Sequence, residues 1–175
     1  MRAAIAAGLS LVLAACASTP REVSQPPKAV PESPAAQAPA APDARILMID
    51  AATSMLGQPY HFGGAGPGGF DCSGLVVYSA AGAGIRVPRT AAEQFDFGVP
   101  ITRSELQAGD LIFMHLTSKE LHVAIALDNQ RFIHAPSTGR RVRIDSLAAP
   151  PYAKSFIGAR RVIPPAPSAV SFATQ

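Results

Sequence analysis

Proline placement sets the limits of what this chain can fold. Seven of the 26 residues from Ala17 to Pro42 are proline and seven are alanine, with no apolar periodicity and few branched or aromatic side chains. Such a stretch has little apolar surface to bury, and each proline ring removes a backbone donor, so residues 16–42 read as an extended tether. At about 3.1 Å per residue the tether reaches up to roughly 80 Å. The tail over residues 164–175 has the same character. Folding is thereby confined to residues 43–163, long enough for a single core.

Ahead of the tether stand Arg2, an apolar run from Ala3 to Leu13, and Leu13-Ala14-Ala15-Cys16. This is a secretory signal layout over residues 1–15, and its apolar run is well short of the roughly 20 residues a membrane span needs. The Leu-Ala-Ala-Cys ending resembles a bacterial lipobox. The resemblance implies cleavage before Cys16, lipidation of that residue and delivery to a membrane surface. With neutral Ala17 following, the expected address is the inner leaflet of the outer membrane, facing the periplasm.

Cys16 and Cys72 are the only cysteines. If Cys16 is acylated, Cys72 has no partner for an intramolecular disulfide in a compartment that permits one, so it is either deeply buried or does chemistry. It sits in Phe70-Asp71-Cys72-Ser73-Gly74, between a glycine-rich loop and an apolar run. Helical spacing of Cys72, Leu75, Val76, Ser79, Ala80 and Ala83, with Gly84 beyond, predicts a helix from Cys72 to Ala83 capped by Asp71. A thiol in a first helical turn is expected to ionise more easily than a free one.

An earlier helix is expected from the Asp43 cap to Gly57, with Leu47, Ala51 and Met55 on one face, and a short one after Thr90. Strand-like runs follow at Leu111–Met114, His122–Leu127, Arg131–Ala135, Val142–Ile144 and Phe156–Ile163. Helices first and then mostly antiparallel strands make an α+β fold. The Gly64-x-Gly66-x-x-Gly69 spacing has no apolar strand before it and is interrupted by Pro67, so it is not read as a nucleotide site.

A cysteine nucleophile needs a base and a polar group that fixes the base's ring. His122 and His134 fit those roles across a turn at Asp128-Asn129-Gln130. A three-residue turn pairing Leu127 with Arg131 sets Ala124 opposite His134, with His122 its diagonal neighbour on the same face. A slip of one residue would part them. His61 and His115 have no assigned role. No HExxH or CxxC spacing is present, so no metal is expected. The net charge of +3 is concentrated in Arg131, Arg140, Arg141, Arg143, Arg160 and Arg161, which suits a carboxylate-rich substrate or an anionic surface, or equally, for most of them, solvated strand edges. Nothing in an exported chain with no recognised module points to nucleic acid.

From Asp43 to Val162 the chain resembles the NlpC/P60 family of papain-like bacterial cell-wall cysteine peptidases. The resemblance rests on Gly57-Gln58-Pro59-Tyr60-x-Phe62-Gly63-Gly64, Phe70-Asp71-Cys72-Ser73-Gly74-Leu75-Val76, Pro88-Arg89-Thr90, Ala108-Gly109-Asp110-Leu111-Ile112-Phe113, His122-Val123-Ala124-Ile125 and Phe132-Ile133-His134-Ala135-Pro136. It implies an α+β papain-like fold with N-terminal helices packed on a mostly antiparallel sheet. It also implies Cys72 as nucleophile, His122 as base and acid, His134 as its orienter, and Tyr60 and Ser73 at the substrate, with no cofactor. The implied substrate is the peptidoglycan stem peptide, cut between γ-D-glutamyl and diaminopimelate or at a cross-link. An amidase or acyltransferase would use the same site, and a catalytically idle wall-binding lipoprotein would use the same fold. The segment from Gly64 to Phe70 is longer and richer in glycine than the family's usual connection.

Overall fold

A computed structural model of the chain describes residues 43–117 and 120–163. The expected signal segment, Cys16, the tether and the tail lie outside those residues. Among the described residues no helix is long and apolar enough to cross a membrane. In chain order the elements are α1 (Ala44–Thr53), β1 (Ala65–Gly66), β2 (Gly69–Phe70), α2 (Cys72–Gly82), α3 (Ala91–Phe95), β3 (Val99–Ile101), β4 (Leu111–Thr117), β5 (Glu120–Ala126), β6 (Arg131–His134), β7 (Arg143–Ser146) and β8 (Phe156–Arg161). Six strands form one antiparallel sheet in the order β3-β8-β4-β5-β6-β7, as an α+β fold requires.

Both faces of this sheet are buried. On one, Met48 and Ala52 of α1 and Leu75, Val76 and Ala80 of α2 pack on Leu111, Phe113, Val123, Ile125 and Ile133. On the other, Ile112, Met114, Ala124, Ala126 and Phe132 meet Leu147, Tyr152 and Ala159. Double burial explains why Leu111–Met114 and Val123–Ala126 are unbroken apolar runs rather than alternating ones.

The first helix differs from expectation in extent and face. It ends at Thr53, before a turn that reaches Gly57, because the Thr53 and Ser54 hydroxyls bond back to the carbonyls of Ile49 and Ala51 and compete with helical propagation. Its buried positions are Met48 and Ala52; Leu47, Ala51 and Met55 flank that stripe half-buried. The second helix runs as expected from Cys72, with the Asp71 carboxylate accepting from Gly74 N–H at 2.6 Å. Thr90 caps α3 in a reciprocal box with Glu93. Strand β4 extends three residues past the expected run, and β3 is an element the sequence reading did not include.

Asp110 ties the ends of the domain together. It is fully buried, accepts from Arg161 at 2.9 and 2.8 Å and from Gln107 N–H at 2.8 Å, and lies 3.4 Å from Arg45 of α1. A buried carboxylate needs such partners, and here they join α1 to β8.

The glycine-rich segment folds back on itself as the hairpin β1-β2, pairing Ala65 with Phe70 and Gly66 with Gly69. The carbonyl of Gly64 accepts from Asp71 N–H at 3.0 Å, just before α2 begins. A Cβ at Gly74 would overlap that same carbonyl oxygen. The hairpin thus clamps the first turn of α2, and only glycine fits beneath it. Gly74→Ala is expected to destabilise the fold by about 3 kcal/mol, the upper end for overpacking because a backbone atom is the obstacle. A lowered urea midpoint with an unchanged m value is the measurement that checks it.

Candidate active site

Strands β5 and β6 pair at Ile125–Ile133 and Ala126–Phe132, and Leu127 N–H donates to Arg131 C=O at 2.8 Å. This is the register the three-residue turn demanded. By alternation it sets His122 and His134 on one face, and their rings meet, with Nε2 of His122 2.7 Å from Nδ1 of His134. His134 is fully buried, packed edge-on against Phe132 and Tyr152.

That face is the one turned away from the helices, so the two rings do not lie between the sheet and α2. Cys72 and His122 come to one cavity at the end of the sheet, beyond the Ile125–Ile133 pair. There a cavity of about 530 Å³ is lined by Cys72 and Tyr60 from the helix side, His122 from β5, Pro136 to Thr138 after β6, and Arg140, Arg143 and Tyr152 from beyond. A second depression on the other side of Cys72 is lined by Tyr60, Phe62, Asp71, Ser73 and Arg89. Cys72 and Tyr60 stand where the two meet.

Burial sets the charge state. It pushes His122 down to about 3, aided by the neighbouring charge of His134. It pushes His134 down to about 4, although the bond to Asp145 pulls the other way. The Cys72 thiol is pushed up by burial, and the Asp71 charge adds to this; bonds from the backbone N–H groups of Val123, Ser73 and Cys72 itself pull it down. The eased ionisation expected of a helix N-terminus is therefore overridden: the amides are in place, but loss of water outweighs them. At neutral pH the site rests as a thiol beside neutral imidazoles.

Asp71 does more than cap. Burial alone would raise its pKa, but bonds from Arg89 at 3.0 and 2.7 Å, from Gly74 and from Gly63 N–H at 3.0 Å hold it below the usual carboxylate range. Arg89 also donates to the Ser73 hydroxyl at 3.0 Å. Ser73 is therefore buried within an Asp71–Arg89 cluster at the wall of the second depression. The other two histidines stand apart: His61 and His115 are exposed, and His115 faces the opposite side of β4 from Met114, which pairs with His122.

Asp145 escaped the sequence reading. Its Oδ2 accepts from Arg143 at 2.7 Å and from the Tyr152 hydroxyl at 2.7 Å, and lies 2.9 Å from Nε2 of His134. Its signal is visible only through the β6–β7 register, which pairs Phe132 with Asp145 and so makes Asp145 a diagonal neighbour of His134. Most of the six basic residues have partners within the domain. Arg131 pairs with Asp128, Arg141 holds Gly57 C=O, Arg143 holds Asp145, Arg160 stacks over Phe95 and Arg161 holds Asp110. Among the described residues, Arg140 is the one of the six with no side-chain partner, and it stands exposed at the cavity.

The NlpC/P60 family profile matches residues 57–161, which spans the hairpin, the cysteine, both histidines and Asp145. The chain belongs to the NlpC/P60 family. It is 42% identical over 116 residues to the murein DD-endopeptidase MepH of Escherichia coli, covering 63% of this chain and 43% of that protein. It thus spans less than half the length of that relative. An NlpC/P60 family protein from Bacillus cereus superposes with a TM-score of 0.64 at 36% identity, over 69% of this chain and 40% of that one. The NlpC/P60 domain of the peptidoglycan hydrolase SagA gives 0.59 at 32% identity, over 67% of this chain and 97% of that one.

The lowered histidine pKa values carry a sign for stability. Between about 6.5 and 4 the unfolded chain takes up protons at positions 122 and 134 that the folded chain does not. Stability is therefore complete above pH 6.5 and falls as pH drops toward 4 and then 3. Urea titrations from pH 7 to 4.5 are expected to show this loss. They should show it reduced in His122→Gln.

Proposed function

We propose that this chain is a peptidoglycan endopeptidase that hydrolyses an amide bond of the stem peptide through a covalent intermediate on Cys72. The observation that carries this reading is one cavity lined by an unpaired thiol and by an imidazole whose Nε2 is already held by a second imidazole. That leaves Nδ1 of His122 as the free nitrogen of the ring. As Sγ of Cys72 attacks the amide carbonyl carbon, Nδ1 takes the thiol proton and His134 holds the imidazolium in place. The backbone N–H of Cys72, at the open end of α2, is the donor for the oxyanion. The tetrahedral intermediate collapses, the C–N bond breaks, and His122 returns the proton to the departing amine. Water, deprotonated by His122, then cleaves the thioester and restores the thiol.

A stem peptide suits the cleft in charge and shape. Its free carboxylates match the guanidinium of Arg140, and the two depressions flanking Cys72 accept chain on both sides of the cut bond. Similarity to a murein DD-endopeptidase favours the cross-link over the γ-D-glutamyl bond. The Leu-Ala-Ala-Cys ending and the proline-rich segment support a domain tethered through a lipidated Cys16 to the periplasmic face of the outer membrane, within reach of the wall. Tyr60 lines both depressions and Ser73 the second, which supports the substrate-contact role assigned to each.

The test is digestion of purified peptidoglycan with mass analysis of the fragments. The full chain is expected to release fragments cut within the stem or cross-link, and Cys72→Ala none. Arg140→Ala is expected to raise KM about tenfold with little change in kcat, since a lost charge-assisted contact is worth roughly 1.5 kcal/mol. Release of whole stem peptides from the sugar would instead make the chain an amidase.

A further inference from the structure

Three groups converge on a single oxygen of Asp145, and two of them are donors of known polarity. Arg143 can only donate. The Tyr152 oxygen receives an N–H from Arg143 at 3.0 Å, so its own proton goes to Asp145. The third group, Nε2 of His134 at 2.9 Å, therefore faces an acceptor and must carry a hydrogen. A neutral imidazole has one N–H, so Nδ1 of His134 is bare. It can only accept from Nε2 of His122, 2.7 Å away, because two bare nitrogens or two N–H groups facing each other would make no bond. The hydrogen of His122 is thus on Nε2, and its Nδ1 is bare.

We propose that Asp145 is a positioning residue that dictates, through His134, which nitrogen of His122 is free to accept the Cys72 proton. This rests on the reading of Cys72 and His122 as nucleophile and base, and adds to it a carboxylate that touches neither substrate nor thiol. Two further facts support it. His134 is wholly enclosed, so water cannot stand in for the carboxylate. Asp145 is also held ionised: burial raises its pKa, but the bonds from Tyr152, His134 and Arg143 outweigh that and leave it lowered. Asp145, Arg143 and Tyr152 lie on or just beyond the last strand of the sheet, so the edge of the fold orients a ring at its centre.

Asp145→Asn can keep an acceptor in place, because its amide oxygen at the position of Oδ2 receives the same three bonds and leaves both tautomers as they are. Asp145→Ala removes the acceptor, and both rings then divide between their two tautomers, so that part of the molecules present an N–H at Nδ1 of His122 where a base is needed. The expected order of kcat on peptidoglycan is therefore wild type, then Asp145→Asn, then Asp145→Ala, with the alanine variant down by on the order of 10²-fold and KM within about twofold. A role in folding alone leaves both rings in their wild-type tautomers in either variant.

The direct readout needs no variant. Long-range ¹H–¹⁵N spectra of the full chain labelled on its four histidines are expected to show His122 and His134 both protonated on Nε2, unchanged in Asp145→Asn and divided between the two ring nitrogens in Asp145→Ala. Wild-type His122 protonated on Nδ1, or an alanine variant with both rings still wholly protonated on Nε2, overturns the proposal. Should the wild type leave peptidoglycan intact, the functional reading fails while the spectra still decide the tautomers.

Discussion

The site is governed by the cost of taking two imidazoles out of water. A buried ring nitrogen without a partner loses on the order of 1–3 kcal/mol, and a buried charge loses more. The domain meets this by keeping both rings neutral and bonding them in series, His122 to His134 to Asp145. Only Asp145, at the half-exposed end of the series, keeps a charge, and it does so against Arg143. The same burial that withholds charge from the histidines withholds it from the Cys72 thiol. A neutral pair is thus the resting state, and charge is to appear only as bonds to a substrate form.

Such a line leaves little freedom to the scaffold. It needs the β5–β6 turn in one register, because a shift of one residue would send the two rings to opposite cores. It needs β7 beside β6 so that Asp145 reaches His134. It also needs the first turn of α2 at the open end of the sheet, and that is the task of the glycine hairpin and of the Asp71–Arg89 pair. Asp71 opposes a thiolate by its charge, and Arg89 bonds that charge in two places. Asp71 and Arg89 therefore hold the helix mouth in place and do not activate the sulfur.

Much of this was legible in residue order. The Asp71 cap, the helix beginning at Cys72 and the turn register all follow from local rules: a carboxylate before a helix, a 3.6-residue stripe, a three-residue loop. Local rules failed where distant contacts decide. The face of α1 is set by what α2 offers it, so Met48 and Ala52 are buried while their neighbours Leu47 and Ala51 are half-buried. Asp145 lies across a connection from Ala135 to Val142 that bears no turn signature fixing the register, so its approach to His134 is invisible in the sequence. The thiol's reluctance to ionise was misjudged for a related reason. Helix position can be read from spacing, whereas the depth of burial cannot.

What most needs testing is that Cys72, His122 and His134 carry no charge until substrate arrives. The most direct measurement is the rate of Cys72 carbamidomethylation by iodoacetamide from pH 5 to 10, read at that residue by peptide mass analysis, because only the thiolate reacts. A rate that climbs steadily with pH to beyond 9, with no shelf near neutrality, is what a buried neutral thiol predicts. A plateau reached by about pH 6 and flat through pH 8 would reveal a thiolate–imidazolium pair and contradict the account.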